Sequence, residues 1–124
     1  MTSTVKNYGL TWTGKAVGKN RMHVPARGRL IKTAEYRTFL EELAVTFRSQ
    51  RTGDMIPGEF TVAARVTVGP RTDGHNLIDP IFDALEQGGI VENDRYLTSL
   101  SFNIRRHKQG EPDVIDLHVQ QNRI

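Results

Sequence analysis

Between Asp73 and Asp94 the chain sets six carboxylates, Asp73, Asp79, Asp83, Glu86, Glu92 and Asp94, with no lysine or arginine among them. Carboxylates held close together repel one another and repel phosphate unless a cation lies between them. Hard oxygen ligands of this kind suit Mg²⁺ or Mn²⁺, which can bridge protein carboxylates to a phosphate and activate a water for attack. His75, in the same segment, offers an imidazole ligand or is a surface histidine, and the sequence leaves both readings open. The plainer account of the whole group is a solvated helix face, with an acid near the helix start serving its dipole.

The charge balance elsewhere argues for a polyanionic partner. The net charge is +3, and every charged side chain from Met1 to Ala34 is positive. Lys15, Lys19, Arg21, Arg27, Arg29 and Lys32 are therefore candidate phosphate contacts, of the sort that position a nucleic-acid backbone without reading bases. A protein that only gripped phosphate would gain nothing from an acidic patch beside such an arm. With no cysteine in the chain, a disulfide framework, a thiolate zinc site and a cysteine nucleophile are excluded.

These residues need elements to hold them, and 124 residues are enough for one domain. Tyr8, Leu10 and Trp12 alternate along a first strand ending at Gly14, where the two aromatics face a core or stack on an unpaired base, with alternation favouring the core. Lys15 to Arg29 shows no periodicity and reads as an exposed, mobile loop. A helix capped by Thr33 then carries Tyr36, Phe39, Leu40, Leu43, Ala44 and Phe47 on one stripe. Phe60, Val62, Ala64, Val66 and Val68 alternate as a half-buried strand.

A second helix is predicted from about Asn76 to Gln87, stopped by Gly88 and Gly89, with Pro80 either shifting the N-cap to Asp79 or distorting the first turn. Asn76, Asp79, Asp83 and Glu86 then share its polar face. Leu100, Phe102 and Ile104, then Ile115, Leu117 and Val119, read as a C-terminal hairpin. The order β-α-β-α-β-β predicts an α/β (α+β) fold, a mixed four-stranded sheet with two helices in one compact domain over residues 1–124. No apolar stretch approaches a bilayer span and no signal-peptide core is visible, so a cytoplasmic protein without membrane contact is expected.

One further expectation comes from likeness. The run Asp73-x-x-Asn76-Leu77, then Asp83-Ala84-Leu85, then a glycine turn and a hydrophobic-acidic-x-Asp ending at Asp94, resembles the signature of RusA-type Holliday junction resolvases. Gly18-Lys19-Asn20-Arg21 and Gly28-Arg29, followed by a helix with Tyr36-Arg37, resemble that family's basic entry loop, so the likeness covers most of the chain. It implies a homodimer dependent on Mg²⁺ or Mn²⁺ that makes paired nicks in opposed strands of four-way DNA junctions during recombination and repair. Such small resolvases are frequently phage-encoded.

Asp73 and Asp94 carry over as catalytic, metal-binding aspartates. His75 stands where the family has a second aspartate, and Asp79 where it has a lysine. The implied catalytic set is thus Asp73 and Asp94 assisted by His75 or Asp79, with Asp73, His75 and Asp94 on the metal. The two departures also admit a protein that binds branched or single-stranded DNA without cutting it. Two-fold symmetry is expected on mechanistic grounds too, since two strands must be cut and one chain offers one acidic cluster.

Overall fold

The strand Phe60–Val68 (β4) buries Phe60, Val62, Ala64, Val66 and Val68, its whole apolar side. A strand so apolar is stable only between two neighbours, because an open edge would leave its ladder groups and one flank in water. A computed structural model describing residues 5–18, 23–26 and 29–122 supplies both. Leu97–Arg106 (β5) runs parallel to β4 from Phe60 opposite Leu97 to Val68 opposite Arg106. Asp113–Gln121 (β6) runs antiparallel on the other flank, and Asn7–Gly14 (β1) pairs antiparallel with β6. The sheet order is β1-β6-β4-β5.

The fold is thus the expected single α+β domain with a mixed four-stranded sheet and two helices, but the expected C-terminal hairpin is not formed. Strands β5 and β6 flank β4 instead of pairing with each other. The short segment from His107 to Pro112 crosses the end of β4, where His107 N–H donates to the Val68 carbonyl at 3.0 Å and the His107 ring meets Asp113 at 2.6 Å. Local rules favour a hairpin across so short a connection. The burial demand of β4 outweighs them.

The helix Ala34–Gln50 (α1) begins as predicted, with Thr33 Oγ1 accepting from Tyr36 N–H at 3.1 Å and Glu35 in the first turn. Its six-residue apolar stripe is buried as expected. Each side chain of that kind contributes roughly 1.5–3 kcal/mol on leaving water. The helix Ile78–Gln87 (α2) follows a 3-10 turn over Gly74–Leu77 and holds a buried Pro80 in its first turn, so the distorted-start alternative is the one realised. The chain turns out of α2 at Gly89, whose φ of 69° suits glycine.

Three contacts fix α2 against α1: the Tyr36 hydroxyl donates to Asp83 Oδ2 at 3.3 Å, Arg51 Nη1 donates to the Gly89 carbonyl at 2.6 Å, and Gly88 packs on the Ala44 carbonyl. Trp12 and Tyr8 are both buried, Trp12 lying edge-on to Phe39 with ring centroids 5.0 Å apart, so both aromatics belong to the core.

Part of the segment read as a loop without periodicity forms paired strand. Ala16 N–H donates to Asp113 Oδ2 at 2.9 Å and Val17 is buried. His23–Ala26 (β2) and Arg29–Lys32 (β3) then pair as an antiparallel ribbon. Pairing gives these residues their extended form, since the segment lacks the alternation that marks a strand.

Candidate functional site

Three of the six acids between Asp73 and Asp94 have structural work. Asp83 accepts the Tyr36 hydroxyl, tying α2 to α1. Burial first, and then the Asp83 and Asp79 carboxylates, push the Tyr36 hydroxyl well above its ordinary range, so it stays a proton donor. Glu86 Oε1 accepts the Asp94 N–H at 2.6 Å, and Glu92 Oε1 accepts the Gly58 N–H at 3.1 Å. Asp79 is exposed in the first turn of α2 and acts electrostatically on Tyr36.

The exposed carboxylates of Asp73 and Asp94 take no hydrogen bond or ion pair from any described residue, and the same holds for the His75 ring. Among the described residues, none engages either carboxylate. Asp73 ends the β4–α2 connection and lines a cleft of about 270 Å³ together with Lys15, Glu35, Arg71, Asn76 and Asp113. Because β1, β4 and β5 run the same way, their C-terminal ends meet here. A second cleft of about 640 Å³ adjoins the first, with Lys15, Arg71 and Asp113 shared and His107 added.

His107 bridges two acceptors, Asp113 Oδ1 at 2.6 Å through Nε2 and the Lys108 carbonyl at 2.7 Å through Nδ1. The bond to Asp113 and then that to the Lys108 carbonyl raise its pKa, since only the imidazolium donates through both nitrogens. Arg106 holds the Gly69 and Thr72 carbonyls and so pins the loop that leads to Asp73. Arg71, Arg105, Arg106, His107 and Lys108 were not among the basic residues singled out from sequence. For all but Arg71 the signal was a short basic run closing and following a strand, which matters only once the parallel pairing of β5 places it beside Asp73.

Of the predicted phosphate contacts, Lys15 lies in both clefts, and Arg29 and Lys32 belong to the backbone of β3. Lys19, Arg21 and Arg27 lie outside the described residues.

The structure does not bring Asp73 and Asp94 together. Gly74 packs on Ile104, so close that a Cβ on the glycine would lie 2.9 Å from Ile104 Cγ2, which sets Asp73 at the Ile104 level of β5. Asp94 opens a 3-10 turn, Asp94–Tyr96, that leads straight into Leu97 at the opposite end of the same strand. Seven strand positions at roughly 3.3 Å each separate Leu97 from Ile104, an interval of about 23 Å. Carboxylate ligands must lie within about 2–2.6 Å of a Mg²⁺, Mn²⁺ or similar ion. Among the described residues no three His, Asp or Glu side chains are grouped so as to hold a metal. Within one chain, Asp94 therefore stands at the far end of β5 from Asp73 and His75.

Among the described residues no helix is long and apolar enough to cross a membrane. Compared with protein-family models and with curated proteins, the chain matches none.

Proposed function

We propose that this chain is the subunit of a homodimeric, Mg²⁺- or Mn²⁺-dependent endonuclease selective for DNA structure, which resolves four-way junctions by paired nicks. The reading joins the RusA-like residue pattern to one structural observation. Of the acids in the cluster, Asp73 and Asp94 have exposed carboxylates with no hydrogen-bonding or ion-pairing role toward the described residues, and Asp73 stands in a cleft beside Lys15 and Arg71. Acids whose only work is to brace a fold are expected to be bonded to it, as Asp83, Glu86 and Glu92 are.

Lys15, Arg71 and the basic run after β5 draw a phosphodiester backbone to the end of the sheet where Asp73 sits, by charge and without base reading. Asp79, where the family has lysine, adds negative charge on the neighbouring turn and raises the need for a counter-cation.

A second reading has its own support: the distance between Asp73 and Asp94 within a chain favours a protein that binds branched DNA without cutting it. The deciding experiment incubates the protein with synthetic four-way junctions and millimolar Mg²⁺ or Mn²⁺, and compares it with Asp73→Asn. Symmetric nicks abolished by the substitution support the endonuclease. Tight binding with intact junctions, unchanged by Asp73→Asn, supports the binding protein.

A further inference from the structure

The two edges of the sheet are finished differently. At β1 the open edge is blocked by Gln50 at the end of α1, whose side-chain amide accepts from Thr11 N–H at 2.8 Å and donates to the Thr11 carbonyl at 2.9 Å, standing in for a neighbouring strand. Strand β5 has no such cover: among the described residues no strand pairs with its outer edge. Over Leu97–Ile104 it carries no charge and no proline, the devices that normally keep edge strands from pairing. Its core-side residues Leu100 and Phe102 are only half-buried and Ile104 is 40% exposed, although Val62, Ala64 and Val66 opposite them on β4 are buried.

The charges around β5 select its partner. Glu92 and Asp94, with the single base Arg95, precede the strand and leave its start net acidic, and Arg105, Arg106 and Lys108 end or follow it. Antiparallel pairing with a second copy lays the acidic start of each strand against the basic end of the other, whereas parallel pairing stacks like on like. The antiparallel arrangement also closes about a two-fold axis. Register follows from keeping the apolar residues on one face. Centring on Phe102 sets it against the partner's Phe102, with Leu100 against the partner's Ile104 and Ser99 against the partner's Arg105. Shifting one way puts Ile104 against the partner's Thr98, beside the irregular start of the β4–β5 ladder, and shifting the other way puts Leu100 against the partner's Arg106.

The geometry points to two copies joined antiparallel along β5 about a two-fold axis at Phe102, which carries Asp94 of the partner subunit to the end of the sheet that holds Asp73. In this register the partner's Leu97 lies three positions beyond Ile104. The interval along the strands between the Ile104 level, at which Asp73 sits, and the Leu97 that follows an Asp94 falls from about 23 Å within a chain to about 10 Å between chains. The axis stands perpendicular to the sheet, so both helix layers share one face, and two equivalent groupings of acids form. The strand pairing stands on the edge itself, while the sharing of acids rests on the endonuclease reading.

Light scattering and charge reversal test the pairing. Ser101 and Asn103 are exposed and face each other across the axis in this register. Wild-type protein is expected at twice the 14.0 kDa chain mass, S101K/N103K at the chain mass, and S101K/N103E again at twice the chain mass. The chain has no cysteine, so Phe102→Cys should give a single disulfide-linked dimer on oxidation, because directly opposed Cα atoms lie about 4.5–5.5 Å apart. A wild-type monomer at micromolar concentration, or a dimer indifferent to S101K/N103K, overturns the pairing.

Subunit mixing tests the sharing. Asp73→Asn and Asp94→Asn proteins should each be inactive, and their mixture should regain roughly a quarter of wild-type junction nicking, since half the dimers keep one intact pair. An inactive mixture beside an active wild type overturns the sharing. A wild-type dimer that cuts nothing overturns the endonuclease reading and the sharing with it, and leaves the strand pairing to stand on the light-scattering result.

Discussion

Gly88→Ala should destabilise the protein although alanine is ordinarily the better residue in helical backbone. Gly88 has φ −77° and ψ −4°, a conformation any residue adopts, so replacing glycine would by itself stabilise by about 0.4–1 kcal/mol through the unfolded chain. Packing reverses the sign. A Cβ at this position would lie 2.8 Å from the Ala44 carbonyl oxygen of α1 and 2.9 Å from that of Ala84, at least roughly 0.5 Å inside ordinary contact. Both obstacles are helix backbone, which cannot rotate aside as a side chain can, so α1 and α2 must separate. Overpacking of this kind costs about 1–3 kcal/mol. The net expectation is a loss of about 1–2 kcal/mol, or about 4–8 °C in Tm for a chain of this size. Thermal unfolding followed by circular dichroism at 222 nm measures it. Gly9→Ala is the control, since a Cβ there meets nothing within 4 Å. A Gly88→Ala protein that melts at or above the wild type refutes the claim that backbone contact at this glycine sets the distance between the helices that carry Tyr36 and Asp83.

Three other outcomes are expected. Tyr36→Phe removes the donor to Asp83 and should cost about 1 kcal/mol without changing the denaturant m-value, as read from urea unfolding. Gln50→Ala uncovers the β1 edge, so stability should fall by about 1 kcal/mol and light scattering should show more association at high concentration. His107 has a raised folded-state pKa, so the stability it contributes is fully present below its unfolded value of about 6.5 and is lost as pH rises through the folded value. Wild-type Tm should therefore decline relative to His107→Gln as pH climbs from about 6 to 9, and parallel curves would remove His107 from the account.

Sequence alone determined the parts whose signals are local. The stripe from Tyr36 to Phe47, the Thr33 cap, the alternation of β4 and the glycine stop of α2 each depend on residues within a few turns or one strand, and each appears in the structure. The acidic segment was also legible, since a run of six acids without a base needs no tertiary information to be seen. Tertiary structure decided where the elements go relative to one another. A short connection between two alternating segments looks like a hairpin, yet β4 needed a neighbour on both flanks and took β5 and β6 apart. The same pairing decided the site. Because β5 runs parallel to β4, its start, and Asp94 with it, lies at the far end of the sheet from Asp73, while the basic run at its close lies beside Asp73. Spacing in sequence fixes how far apart two residues are along the chain, but the direction in which a strand joins its sheet fixes how far apart they are in space. That direction is set by burial across the whole core, which no local motif encodes.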